Sequence, residues 1–202
     1  MKNISKIITN IVRISIILIG FLLIFKQEYK NIGILVLTFL LTFYDKVVER
    51  ILKIKLDEKL KISLILFIFG AQCLGTVLGF YHKFLWWDTM LHTLSGIIFF
   101  LVGQEVIKQL DSSNKLNSKI IIAFGICFSL STGVIWEIFE FLVDSFLGQN
   151  MQVARDGIGR EALMDTMVDL ISVTVGTLII VVIKVLKNKI KKGEKNEKSK
   201  NI

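Results

Sequence analysis

The chain contains no proline, two cysteines and two histidines among its 202 residues. Without proline, none of the glycine-proline helix breaks that mark many transporter sites can form, and long helices run without that interruption. Cys73 and Cys127 fall inside apolar runs and read as small apolar residues, so no disulfide is expected and no redox compartment follows. No stretch alternates apolar and polar residues with the period of a strand. Met1 to Phe25 has Lys2 and Lys6 ahead of an apolar run, as a signal peptide would, but no small-x-small cleavage site. Lys26-Gln27-Glu28-Tyr29 follows directly, so this segment is expected to stay as the first span. The lysine-rich end lacks interleaved aromatic residues for base stacking, which argues against a nucleic-acid partner despite the net charge of +8.

What is present is hydrocarbon: 53% of the residues are apolar, in several runs near the length that crosses a bilayer. The expected fold is an all-α polytopic transmembrane helix bundle of about six spans, near 8–25, 31–44, 62–81, 88–109, 120–147 and 165–187. The second span is short, and Asp45 to Lys61 continues it with an apolar stripe of Val48, Leu52, Leu56 and Leu60, as a helix extension or an interfacial segment. With six spans, 20 of the 25 basic residues fall on one side, a positive-inside pattern that predicts cytoplasmic N- and C-termini. Residues 1–187 are expected to form a single transmembrane domain, and 188–202 a basic, disordered cytoplasmic tail that attracts anionic lipid headgroups.

Acidic residues stand where a bilayer should exclude them. The run from Ile120 to Leu147 contains Glu137 and Glu140, and a carboxylate at membrane depth costs several kcal/mol unless it is neutralised, paired or wet. At about 100° per residue these two and Asp144 share a face, with Gly133 just below them. Asp144 lies near the exit of the span and reads as interfacial. Trp86 and Trp87 mark an aromatic belt, with Trp87 a candidate substrate contact. Asp88 and His92 follow, four residues apart on one face that Ser95 and Gly103 continue. Asp165 and Asp169 repeat that spacing, prolonged by Ser172 and Gly176. Asp88 and one of the last two aspartates also suit helix N-terminal caps. Charge counting puts all three segments at the outer level. Five carboxylates and an imidazole cannot coexist dry, so either some are protonated or a cation binds among Asp88, His92, Glu137, Glu140, Asp165 and Asp169. A divalent metal suits the carboxylates, and His92 admits manganese, iron or zinc. Of the two loop arginines, Arg155 reads as solvated and Arg160 as able to hold an anionic group. Elsewhere Arg13 is expected to snorkel to inner headgroups, Gln72 to bond across the bundle, His82 to be solvated, and Glu105 to pair with Lys108.

Three motifs in order, Asp88-x-x-Leu91-His92, Glu137-x-x-Glu140 before an aromatic, and Asp165-Thr166-x-x-Asp169-Leu170, resemble the uncharacterised bacterial integral-membrane family that includes YjdF. More distantly they are similar to VanZ-like proteins, in which a Gly-Arg like Gly159-Arg160 precedes an acidic helix. The resemblance spans roughly Trp86 to Gly176, and this chain has Met167 where the family usually has glutamine. It implies a shared polar site and no established activity.

These residues support a multi-pass protein with an outward-facing carboxylate and histidine site, read first as a non-catalytic binding or sensing factor. One alternative is a metal-dependent enzyme acting on a lipid or lipid-linked phosphate in the outer leaflet. There His92, Glu137, Glu140 and Asp169 would act in catalysis and Arg160 and Trp87 would hold the substrate. No nucleophile motif accompanies them. The other alternative is a cation- or proton-coupled transporter, although no internal repeat is evident.

Overall fold

A computed structural model of the chain describes residues 4–111, 113, 115–152 and 159–200, with the side chains of Leu52 and of residues 191–200 left out of the description. Lys2 and Arg155 therefore lie outside the described residues. Eight α-helices carry the fold among them: α1 Ile4–Phe25, α2 Ile32–Leu41, α3 Tyr44–Leu52, α4 Glu58–Ile68, α5 Phe80–Lys83, α6 Trp87–Leu110, α7 Ser118–Leu147 and α8 Arg160–Lys200. A π-helical stretch, Phe69–Val77, continues α4 and lengthens it to a full span. Among the described residues five helices are long and apolar enough to cross a membrane, and α2 with α3 supplies a sixth if that bent pair is one span. The multi-pass, all-helical architecture read from the sequence is what the described residues form. The helical backbone of α8 continues past residue 187 as far as Lys200.

Side-chain chemistry sets the helix ends. Asp57 and Asn117 cap α4 and α7 by accepting the amide N–H two residues ahead, from Lys59 at 3.3 Å and Lys119 at 2.9 Å. Gly148, at φ +61°, ends α7 in the left-handed conformation that glycine adopts without a Cβ clash. In the α6–α7 loop the Asp111 carboxylate accepts from the Ser113 hydroxyl at 2.6 Å and the Leu116 amide at 2.9 Å, and these donors pull its pKa below the usual value.

The second span departs from expectation at Thr42, where the chain bends by 49° between α2 and α3. Arg13 accounts for the bend's stability. Its Nε donates to Thr42 Oγ1 at 2.8 Å, its Nη2 donates to the Thr42 carbonyl at 3.1 Å, and its guanidinium lies 4.0 Å from the centre of the Phe43 ring. Arg13 thus serves the bundle instead of extending to the headgroups. Glu105 differs as well: it accepts from Gln109 Nε2 at 2.7 Å, and no Glu105–Lys108 ion pair forms among the described residues.

Contacts between distant residues define two ends. At one, the Ser5 hydroxyl donates to Glu58 at 2.5 Å and the Lys55 amide donates to Gln109 Oε1 at 2.7 Å. At the other, Asn31 Nδ2 donates to the Val77 carbonyl at 3.5 Å. In the second half of the chain α6 packs most extensively against α8 and α7. Their backbones nearly touch: a Cβ on Gly96 would stand 2.2 Å from the Val173 carbonyl oxygen, and one on Gly176 only 1.9 Å from the Thr93 carbonyl oxygen. Only glycine permits such approach. Below it the buried Ser129 hydroxyl of α7 donates to the Gly96 carbonyl at 2.9 Å and meets Thr177 Oγ1 of α8 at 2.8 Å.

Candidate functional site

The glycine crossing explains why the acidic segments meet. Gly96 lies one turn below His92 on α6, Gly133 one turn below Glu137 on α7, and Val173 one turn below Asp169 on α8. A Cβ on Gly133 would stand 3.1 Å from Val173 Cγ1, so α7 is drawn onto the same point. Where the α6 and α8 backbones come this close and α7 closes on the Val173 side chain, side chains one turn farther along are brought together.

They converge on His92. Its Nε2 is 3.4 Å from Asp88 Oδ1 and 3.7 Å from Asp169 Oδ2, while its Nδ1 is 3.6 Å from Glu137 Oε1. Exposures of 7% for His92, 4% for Glu137 and 2% for Asp169 show that these groups are buried. Neither Glu137 oxygen has a hydrogen-bond partner among the described residues, and nor does Asp169 Oδ2. The Thr166 hydroxyl lies near Glu137 without hydrogen-bonding geometry to it, and it accepts from Gln152 Nε2 at 2.8 Å. A buried anionic oxygen without a donor is costly, so these carboxyls are either protonated or answered by a positive charge.

The other expected residues are placed around this centre. Glu140 is buried on the same face of α7 and accepts from Trp136 Nε1 at 2.7 Å. Asp165, one turn toward the start of α8 from Asp169, is half-buried, and its Oδ2 has no hydrogen-bond partner among the described residues. Trp87 packs edge-on against Phe80, ring centres 4.9 Å apart, and its indole Nε1 is buried without a hydrogen-bond partner among the described residues. Arg160 is exposed at the first residue of α8 and makes no ion pair among the described residues. Met167 is 46% exposed, on the face of α8 turned away from the cluster. Asp144 accepts the Met151 and Gln152 amide N–H groups at 2.7 and 2.9 Å and so fastens the loop after α7.

Tyr81, which no motif or spacing in the sequence marks, lies beside the site. Gly75 makes the slot for its ring, because a Cβ there would stand 2.4 Å from Tyr81 Cε2.

Two hollows flank the cluster. On one side an apolar cavity of about 410 Å³ runs from Ile54 and Leu56 to Tyr81 and His92, and Gln72 lines it. On the other a more polar cleft of about 980 Å³, lined by Asp144, Gln152 and Thr166, reaches Glu137.

Asp88, His92 and Asp169 each offer one ligand atom, and these atoms lie within 4.8 Å of one another. Two ligands about 2.1 Å from a metal are at most about 4.2 Å apart. The 3.4 and 3.7 Å separations to His92 Nε2 satisfy that limit. Glu140 and Asp165 offer no atom to this group, and Glu137 faces the opposite ring nitrogen.

Fold and site together define a multi-pass membrane protein with a buried acid and imidazole cluster between three of its spans. The chain belongs to the family described as "Predicted membrane protein (DUF2238)", which it matches over residues 8–189. It is similar to an uncharacterised protein of Thermotoga maritima, with 31% identity over 130 residues, or 64% of this chain. The match covers 63% of that relative's length. No solved structure matches the chain. The more distant likeness to VanZ-like proteins is not shown by these matches.

Proposed function

We propose that this protein binds a divalent cation between Asp88, His92 and Asp169 at the outer face of the bacterial cytoplasmic membrane, as a non-catalytic binding or sensing factor. The observation that carries the reading is the set of unpartnered oxygens on Glu137 and Asp169, both more than nine-tenths buried beside His92. A cation would satisfy the oxygens facing His92 Nε2, and Glu137 would hold the ring through Nδ1 as an outer-shell carboxylate. One imidazole with carboxylates suits manganese, iron or zinc better than calcium or magnesium. The excess of basic residues at the opposite helix ends supports the outward orientation. The motifs shared with the YjdF-containing family coincide with these same three segments.

The test is the metal content of the purified protein after loading with manganese or zinc. One equivalent in the wild type, lost in Asp169→Asn, supports the reading. Equal content in the two proteins ends it.

The apolar cavity favours a second reading. His92 belongs both to the cluster and to that cavity, whose volume lies in the range of ligand pockets. A lipid chain seated there would bring its phosphate to the cation, which would polarise a phosphoryl oxygen when bound. His92, Glu137, Glu140 and Asp169 would then act in catalysis, with Trp87 and Arg160 at the headgroup. Phosphate release from lipid-linked phosphates by metal-loaded protein, absent in His92→Gln, would select this reading over the first.

A further inference from the structure

At the other end of the same helices lies a cavity of opposite charge. Lys184 is about 22 Å along α8 from Asp169, at 1.5 Å per residue. Lys108 of α6 and Lys184 and Lys187 of α8 line a cavity of about 540 Å³, together with Gln104 and with Ser118, the first residue of α7. The cavity is built, not a chance gathering of surface lysines. Gln104 is 3% exposed, and its Oε1 accepts from Lys184 Nζ, which also stands 5.6 Å from the centre of the Phe100 ring. Gly125 holds this shelf in place, since a Cβ there would lie 2.9 Å from Gln104 Cγ and 3.0 Å from the Phe100 ring. Lys184 is thereby fixed at the cavity instead of extending freely into water.

Among the described residues none of the three lysines has a carboxylate within ion-pair distance. The nearby acid, Glu105, is engaged by Gln109. The N-terminus of α7 adds the positive end of a 30-residue helix. Ile121, Ile122 and Ile190 complete the lining with hydrocarbon. A site with three ammonium groups, a helix N-terminus and an apolar wall matches a phosphate that carries acyl chains.

We propose that this cavity binds the phosphate of an anionic phospholipid from the leaflet on that side, with the acyl chains along the isoleucines. The proposal is independent of the cation reading, because it uses none of the same residues. Full-length protein is purified in detergent and examined by native mass spectrometry with phosphatidylglycerol, phosphatidylcholine or inorganic phosphate added. The wild type is expected to retain one phosphatidylglycerol in preference to phosphatidylcholine. Lys184→Gln combined with Lys187→Gln should lower that retention by roughly tenfold or more, from the loss of two cations at the phosphate. Lys26→Gln with Lys30→Gln, at the other end of the bundle, should leave it unchanged. If the first double variant does not fold, Lys108→Gln with Lys187→Gln, both exposed residues, should show the same loss. Equal retention by the folded lysine variants, or no preference over phosphatidylcholine, would overturn the proposal. Displacement of the lipid by millimolar inorganic phosphate would overturn the lipid assignment in favour of a soluble anion.

Discussion

His92 has carboxylates against both ring nitrogens, and the two sides make different predictions. Asp88 and Asp169 face Nε2, where a metal would sit, so Asp169→Asn removes a ligand and should abolish stoichiometric binding. Glu137 faces Nδ1 and would only orient the ring, so Glu137→Gln should weaken binding by about 10–100-fold without abolishing it. Calorimetric titration of each variant with manganese separates the two roles, and equal losses would contradict them. The i, i+4 spacings of Asp88 with His92 and Asp165 with Asp169 made this cluster legible in the sequence, because a shared helix face follows from spacing alone. Which carboxylate takes which nitrogen was not legible, since it depends on how the helices rotate about one another. Tyr81 was hidden for a similar reason: its place is created by Gly75, on a different helix.

At the scale of the element, the crossing of α6 and α8 positions the chemistry. Gly96→Ala would push a methyl group into the Val173 carbonyl, and that contact can be relieved only by moving a backbone. It should cost roughly 1–3 kcal/mol and weaken cation binding without touching a ligand. Gly20→Ala is the contrast, since its Cβ would meet only Leu35 Cδ1 at 3.7 Å; it should be neutral or slightly stabilising. Thermal unfolding in detergent measures both. Thr42→Val should cost roughly 1–3 kcal/mol in the same assay, by leaving Arg13 Nε without its acceptor. The spans themselves were legible because a run of some twenty apolar residues admits few other structures. The bend at Thr42 was not, because Arg13 of α1, from elsewhere in the chain, bridges it, and nothing in the local sequence marks the π-helical stretch after α4.

Across the whole molecule, buried carboxylates occupy one end of the bundle, and the order of the spans puts most of the lysines, Lys26, Lys30 and Lys83 excepted, toward the other. The charge asymmetry predicts that the acidic end faces outward. In a background without Cys73 and Cys127, a cysteine placed at Gln149 should react with a membrane-impermeant maleimide in intact cells, and one placed at Ser113 only after permeabilisation. The reverse pattern would turn the cluster to the cytoplasm and remove the outer-face reading. The central claim is that two helices, α6 and α8, deliver one imidazole and two carboxylates to a common cation. X-ray absorption fine structure of the zinc- or manganese-loaded protein reads that shell directly. One imidazole nitrogen with carboxylate oxygens, at about 2.0–2.2 Å for zinc, is the predicted result. A shell of oxygens alone, without an imidazole, would contradict it.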